Sequence, residues 1–253
     1  MKDTKLFNIS LQYYKKSDIL KKIVKNIEDD HQFLHIVSLN PEILVLAQHD
    51  KEFASIIEAG DIKIADGIGL IKACQLLQLP LPTHITGADL MGELLELAGS
   101  LRLRVCLIGG STDVADEIAK CYQQKYPEAE FFGTYGISDM YSQDISIEEQ
   151  ALFTIVADRR PQLVFVAFGS PTQERWIWKH KDKLQGAVCM GVGGGFDFVS
   201  GKVARAPRWM RNNGLEWLFR LILQPWRWRR QLRLIEFIIL VLKQKITSYK
   251  NMR

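Results

Sequence analysis

The chain has 253 residues, 47% apolar and 25% charged, enough for a full core in one large α/β domain or one domain with an appendage. Its four cysteines (Cys74, Cys106, Cys121, Cys189) are far apart, with no CxxC and no Cys/His cluster, which sets aside a disulfide framework and a zinc site. The net charge of +4 hides an asymmetry: residues 202–253 carry thirteen Lys/Arg against two acids, a net of +11, leaving −7 for residues 1–201.

Met1 to Lys5 lacks the apolar run of a secretion signal, and no segment reaches the ~18 to 20 apolar residues that cross a bilayer. Residues 5–14 and 17–28 read as an introductory strand and a Lys/Ile-rich helix. Phe33 to Val37 is a second strand. It ends in Ser38-Leu39-Asn40-Pro41-Glu42, where Asn40 stops the strand and Pro41 suits the first turn of a helix. Ile62 and Ile64 mark a third strand with Asp66 at its end, and Gly67 and Gly69 open an apolar, helical run from Leu70 to Leu77. A carboxylate just past a strand, at a helix N-terminus, stands where open α/β sheets place ligands and chemistry. Asp66 can act there as a general base, a ribose or metal ligand, or a plain helix cap.

Gln78 to Ile85 reads as a loop, closing on Thr86-Gly87-Ala88-Asp89, with a helix over 90–97. Val105 to Ser111 is a buried-type strand and glycine turn. Gly109 and Gly110 there give GGxxxxA in place of GxGxxG, which suits a phosphate contact at the next helix or a tight turn alone. After a further strand, Tyr135 lies between glycines, where it can stack on a base or simply fill a loop. Leu163 to Phe168 delivers Gly169-Ser170-Pro171-Thr172-Gln173-Glu174 to the same sheet edge. Ala187 to Val192, ending in Gly193-Gly194-Gly195-Phe196-Asp197, is the last strand. Alternating strands and helices without repeats predict a largely parallel sheet covered on both faces. Four turns, 38–42, 65–69, 169–174 and 193–197, then share one edge and one pocket.

All six tryptophans fall at or after Trp176. The tail runs through Gly214 to Arg220 and breaks at Gln224-Pro225. Its last helix carries Trp228, Leu232, Ile235, Ile239, Leu242 and Ile246 on one face, with Arg227, Arg229, Arg230 and Arg233 at its start. It either packs on its own domain or lies on an anionic membrane surface; nucleic acid would explain the charge but leave the apolar face without a role. An exposed apolar face would also favour self-association.

Taken together, the turns resemble one family. Ser38-x-Asn40-Pro41-Glu42, Ala65-Asp66-Gly67-Ile68-Gly69, Thr86-Gly87-x-Asp89-Leu90, Gly169-Ser170-Pro171-x-Gln173-Glu174, Gly191-Val192-Gly193 with Phe196-Asp197, Arg205-Ala206-Pro207 and Leu215 to Arg220 look like the WecG/TagA/CpsF glycosyltransferases, in order from about residue 30 to 235. The resemblance implies a Rossmann-like catalytic domain over 1–201 and a basic, membrane-contacting appendage over 202–253. It implies inverting transfer of a sugar from a UDP-sugar to a polyprenyl-diphosphate-linked acceptor, without a metal or other cofactor, on the cytoplasmic face of a bacterial inner membrane. N-acetylmannosamine or its uronic acid is the expected sugar; glucose, glucuronic acid, and a non-catalytic UDP-sugar-binding subunit are the alternatives. A nicotinamide oxidoreductase is disfavoured by the missing GxGxxG.

By position, Asp66 matches the family's base, with Ser38, Asn40 and Gln173 as polar companions. Tyr135 matches the uracil-stacking residue and Asp197 the ribose ligand, with Gly109, Gly169 and Gly193 beside the donor. Arg220, Arg227 and Arg230 fall where arginines meet the diphosphates. Ser38 stands where the family usually has Thr, and His84 where many members carry Arg, so His84 would be a weaker, pH-sensitive phosphate partner.

Overall fold

The computed structural model describes residues 4–111, 113–135, 145–225 and 228–250. Residues 5–14, expected as one strand, instead form a small hairpin, β1 (Lys5–Leu6) and β2 (Ile9–Ser10), because Phe7 and Asn8 both take positive φ (51° and 68°) and turn the chain. Helix α1 (Lys16–Lys25) follows and continues as a π-type turn over Asn26–Asp30, the two together covering the helix expected over 17–28.

The frame is a six-stranded sheet of β3 (Leu34–Leu39), β4 (Ile62–Ala65), β5 (Arg104–Gly109), β6 (Glu130–Thr134), β7 (Leu163–Ala167) and β8 (Val188–Gly191). Its order is β4-β3-β8-β7-β5-β6, with every neighbour parallel. Because strand side chains alternate, each strand feeds two cores. Val105, Leu107, Phe165 and Met190 pack with α1, α5 (Gly87–Ser100), α6 (Val114–Lys125) and α9 (Gly195–Val199). On the opposite face Cys106, Ile108, Val164 and Val166 meet α7 (Ile145–Arg159) and α8 (Thr172–Lys179). There too, Val37 and Leu39 meet α2 (Pro41–His49), α3 (Lys51–Glu58) and α4 (Ile68–Leu76). The expected α/β class with a parallel, doubly covered sheet holds.

Beyond the sheet come α10 (Arg208–Asn212), α11 (Glu216–Leu223) and the long α12 (Trp228–Lys250). α12 returns over α2 and α4 and buries Phe237 and Val241 in their core, with Phe237 edge-on to Phe7 of the hairpin at 5.6 Å. Arg233 pairs with Glu42, and Glu236 with His49. The apolar stripe read from the sequence is not the packing face: Trp228, Leu232, Ile235, Ile239, Leu242 and Ile246 are 47–58% exposed. Among the described residues no helix is long and apolar enough to cross a membrane.

Candidate active site

Four adjacent strands, β4, β3, β8 and β7, present their carboxyl ends side by side, which puts the four predicted turns on one edge. Asn40 caps α2: its Oδ1 accepts from the Ile43 N–H at 3.0 Å, and Pro41 takes the first turn. Only its amide NH2 is then left for a ligand. One strand over, Asp66 follows β4 and its backbone N–H donates to Leu39 at 2.7 Å. It does not cap α4. The N-cap is Gly67, at φ +91° and with no side-chain cap bond, so the carboxylate is free of that structural task.

Gly87, the first residue of α5, is why the carboxylate sits where it does. Its backbone N–H donates to Asp66, and a Cβ at Gly87 would stand 2.8 Å from Ser38 Oγ and 3.2 Å from Asp66 Oδ2. The Ser38 hydroxyl lies at this contact, buried and without a hydrogen-bond partner among the described residues. Burial pushes the Asp66 carboxyl up to about 6, helped by the charges of Glu216 and Asp89 and opposed by the Gly87 N–H and Arg205. A carboxylate poised one unit below neutrality suits proton abstraction at physiological pH.

Asp66 opens onto a cavity of about 1050 Å³ between the ends of β3 and β4 and the C-terminal helices. Asn40, His84, Arg205, Arg208, Arg211 and Arg220 give it a polar, arginine-rich end, with Asp89 and Glu216 among them. Arg205 bridges Asp89 (3.1 Å) and Glu216 (2.9 Å), joining α5 to α11. Arg205 and Arg220 both lie against the ring of Phe198, at 4.9 and 4.6 Å. Arg208 and Arg211 have no acidic partner among the described residues, so their charge is available to an anion. His84 pairs beside Ala65 at the rim, with its pKa lowered by burial despite Asp89 and Glu216. Its ring is therefore neutral at pH 7 and offers hydrogen bonds without charge.

The remaining predicted residues fall along the same edge. Arg220 donates to Asp197 at 2.8 Å and to the Gly194 carbonyl at 3.4 Å, so a diphosphate candidate and a ribose candidate already hold each other. Gln173 is buried and does not line the cavity: its Oε1 accepts from Gly169 N–H (3.1 Å) and Gly193 N–H (2.9 Å), tying the β7 and β8 turns together. Gly109 ends β5, and Gly169 and Gly193 stand two residues past β7 and β8, at φ +87°, +80° and +46°. A Cβ at Gly109 would collide with Phe168, whereas Gly169 faces open space. Tyr135 directly follows β6, exposed, with its hydroxyl bonded to Asp113. It does not line the cavity: five strand steps, roughly 24 Å, separate β6 from β4. Arg227 lies outside the described residues, and of Arg230 only the backbone, within α12, is described.

Arg208, Arg211, Glu216 and Gly87 had no role from the sequence. Gly87 and Glu216 were inside recognisable motifs; the signal for the two arginines was only the charge of the tail.

Comparison with known proteins places these features in context. The model described as "Glycosyl transferase WecG/TagA/CpsF family" matches residues 4–251. The chain is 36% identical over 210 residues to an N-acetylglucosaminyldiphosphoundecaprenol N-acetyl-beta-D-mannosaminyltransferase of Bacillus subtilis (strain 168), covering 83% of this chain and 79% of the relative. It is 34% identical over 222 residues to the protein of the same name from Bacillus spizizenii (88% and 84% covered), and 32% identical over 210 residues to the one from Staphylococcus aureus (83% and 79%).

Proposed function

The chain belongs to the WecG/TagA/CpsF family of glycosyltransferases, and on that premise we propose that it transfers N-acetylmannosamine from a UDP-linked donor to N-acetylglucosamine carried on a polyprenyl diphosphate. The observation that carries this reading is Asp66. Its carboxylate does not cap α4, its pKa is raised by burial to about 6, and it faces a cavity that Arg205, Arg208, Arg211 and Arg220 help to line. In the transfer, Asp66 takes the proton of the acceptor hydroxyl while that oxygen attacks the anomeric carbon. The bond from that carbon to the phosphate oxygen breaks, UDP leaves with the electron pair, and the configuration inverts.

The donor runs along the strand ends in this reading. Tyr135 takes the uracil, Asp197 the ribose, and the glycines at or just past the ends of β5, β7 and β8 let the diphosphate pass close to the backbone. Asn40 offers its amide to the sugar, while Ser38 and Gln173 hold the surrounding turns. We read the leaving UDP as stabilised by arginine rather than by a metal, through Arg220, Arg227 and Arg230, which leaves Arg208 and Arg211 to the acceptor's diphosphate. His84 contributes a hydrogen bond and no charge. The exposed stripe and basic start of α12 support contact with the anionic cytoplasmic face of the membrane, where the acceptor resides.

The test is a transfer assay with purified protein, a soluble polyprenyl-diphosphate-GlcNAc analogue and EDTA. The donors are UDP-ManNAc, its uronic acid, UDP-glucose and UDP-glucuronic acid. Turnover with UDP-ManNAc is expected. Turnover only with a glucose-type donor would reassign the sugar, turnover lost to EDTA would reassign the leaving-group chemistry, and UDP binding without turnover would make the protein an accessory subunit.

A further inference from the structure

The cavity at Asp66 has a second end that the transfer chemistry does not use. Away from the arginines it runs between α4 and α12, lined by Lys72, Ala73 and Leu76 from one helix and by Leu234, Ile238, Val241 and Leu242 from the other. No charge is needed there for the sugar or the diphosphate, and the polar and apolar ends belong to one continuous space. From Leu234 to Leu242 the α12 wall runs about 12 Å, room for roughly two to three isoprene units end to end. Val241 and Ala73 are buried and fix the floor, while Leu76, Ile238 and Leu242 are 40–51% exposed and form the mouth. Leu242 belongs both to this mouth and to the exposed apolar stripe of α12, so the groove opens onto that stripe.

Resting on the acceptor reading above, we propose that the α4–α12 groove binds the first isoprene units of the acceptor lipid. The complementarity decides the occupant. A ligand filling this space must be anionic at one end, beside Arg208 and Arg211, and hydrocarbon at the other. A prenyl diphosphate is both; a peptide or a second protein copy would leave the arginines unmatched. The groove then sets the register of the acceptor, with the sugar held at Asp66 by a tail anchored beyond the diphosphate.

The test keeps membranes out, so that adsorption of α12 plays no part. KM is measured for two soluble acceptors, GlcNAc diphosphate esterified with a ten-carbon prenyl chain or with methyl. Wild type should prefer the prenyl acceptor, and Leu76→Glu and Ile238→Glu should shift the prenyl-to-methyl KM ratio against the prenyl acceptor by tenfold or more. Equal KM values in wild type, or a ratio unchanged in both folded variants, would overturn the groove. Independently of transfer, a diazirine-bearing prenyl diphosphate should label α4 and α12 on irradiation, and methyl diphosphate should not compete with it. Labelling elsewhere would overturn the proposal, as would chain-to-chain crosslinks at these helices that exclude the probe and give the groove to a second copy. Labelling at α4 and α12 without any transfer would keep the groove and reject the donor chemistry.

Discussion

Asp66 sits among charges of mixed sign, and their balance sets both its chemistry and its effect on stability. With its pKa pushed up to about 6, the ionised base fills through that pH. kcat/KM should therefore fall about tenfold per pH unit below 6 and level off above it, which a pH–rate profile reads directly. Asp66→Asn keeps an acceptor for the Gly87 N–H and the same shape but removes the base. Turnover should drop about 10²- to 10⁴-fold with UDP binding retained; full turnover would take Asp66 out of the role. The sign for stability is opposite. A carboxyl whose folded pKa is raised contributes stability that is present at low pH and lost as pH rises from 3.8 through 6. Asp66→Asn should thus melt higher than wild type at pH 7 to 8, with the gap closing toward pH 4. Gly87→Ala tests the geometry: its methyl would press on Ser38 Oγ and Asp66 Oδ2 together and displace the base. Activity should fall with little change in Tm, and Ser38→Ala in the same chain should restore part of it; additive losses would mean the two residues do not share this contact.

At the scale of elements, the strands were legible because they are buried on both faces. Runs such as Leu163 to Ala167 and Val105 to Ile108 have few alternatives to a central parallel strand. The N-terminal segment was not, since its turn falls on Phe7 and Asn8, and Phe carries no turn signal. The cap question at Asp66 was also closed to sequence: Gly67 takes the cap position one residue later, a difference of register that composition does not encode. His35 shows a further hidden feature. It lies fully buried on β3 with neither ring nitrogen bonded among the described residues, and burial lowers its pKa to about 4. Since the unfolded chain protonates it near 6.5, wild type should lose about 3 kcal/mol between pH 6.5 and 4 through this residue alone. His35→Leu should be more resistant in urea at pH 4.5 than wild type and nearly equal at pH 8. Equal acid sensitivity of the two would show that His35 finds a proton-accepting partner.

For the molecule as a whole, charge and apolar surface converge on α12, and the helix is apolar on more than one side. Sequence periodicity found the stripe from Trp228 to Ile246 but could not say whether it faced the protein, because Phe237 and Val241 make an equally good packing face a little further round. The fold uses the second face and leaves the first outward. Beside it the basic residues of the tail can each add about 1 kcal/mol on an anionic leaflet, an attraction that salt weakens. The protein should therefore sediment with phosphatidylglycerol vesicles, less with neutral ones, and less again at high salt. Ile235→Glu with Ile239→Glu alters only the outward stripe, since neither residue lines the cavity. Vesicle binding should be lost while transfer to a soluble acceptor continues. Retained vesicle binding would move the membrane contact to another surface, and transfer lost on soluble acceptor would mean that this face serves the catalytic fold itself.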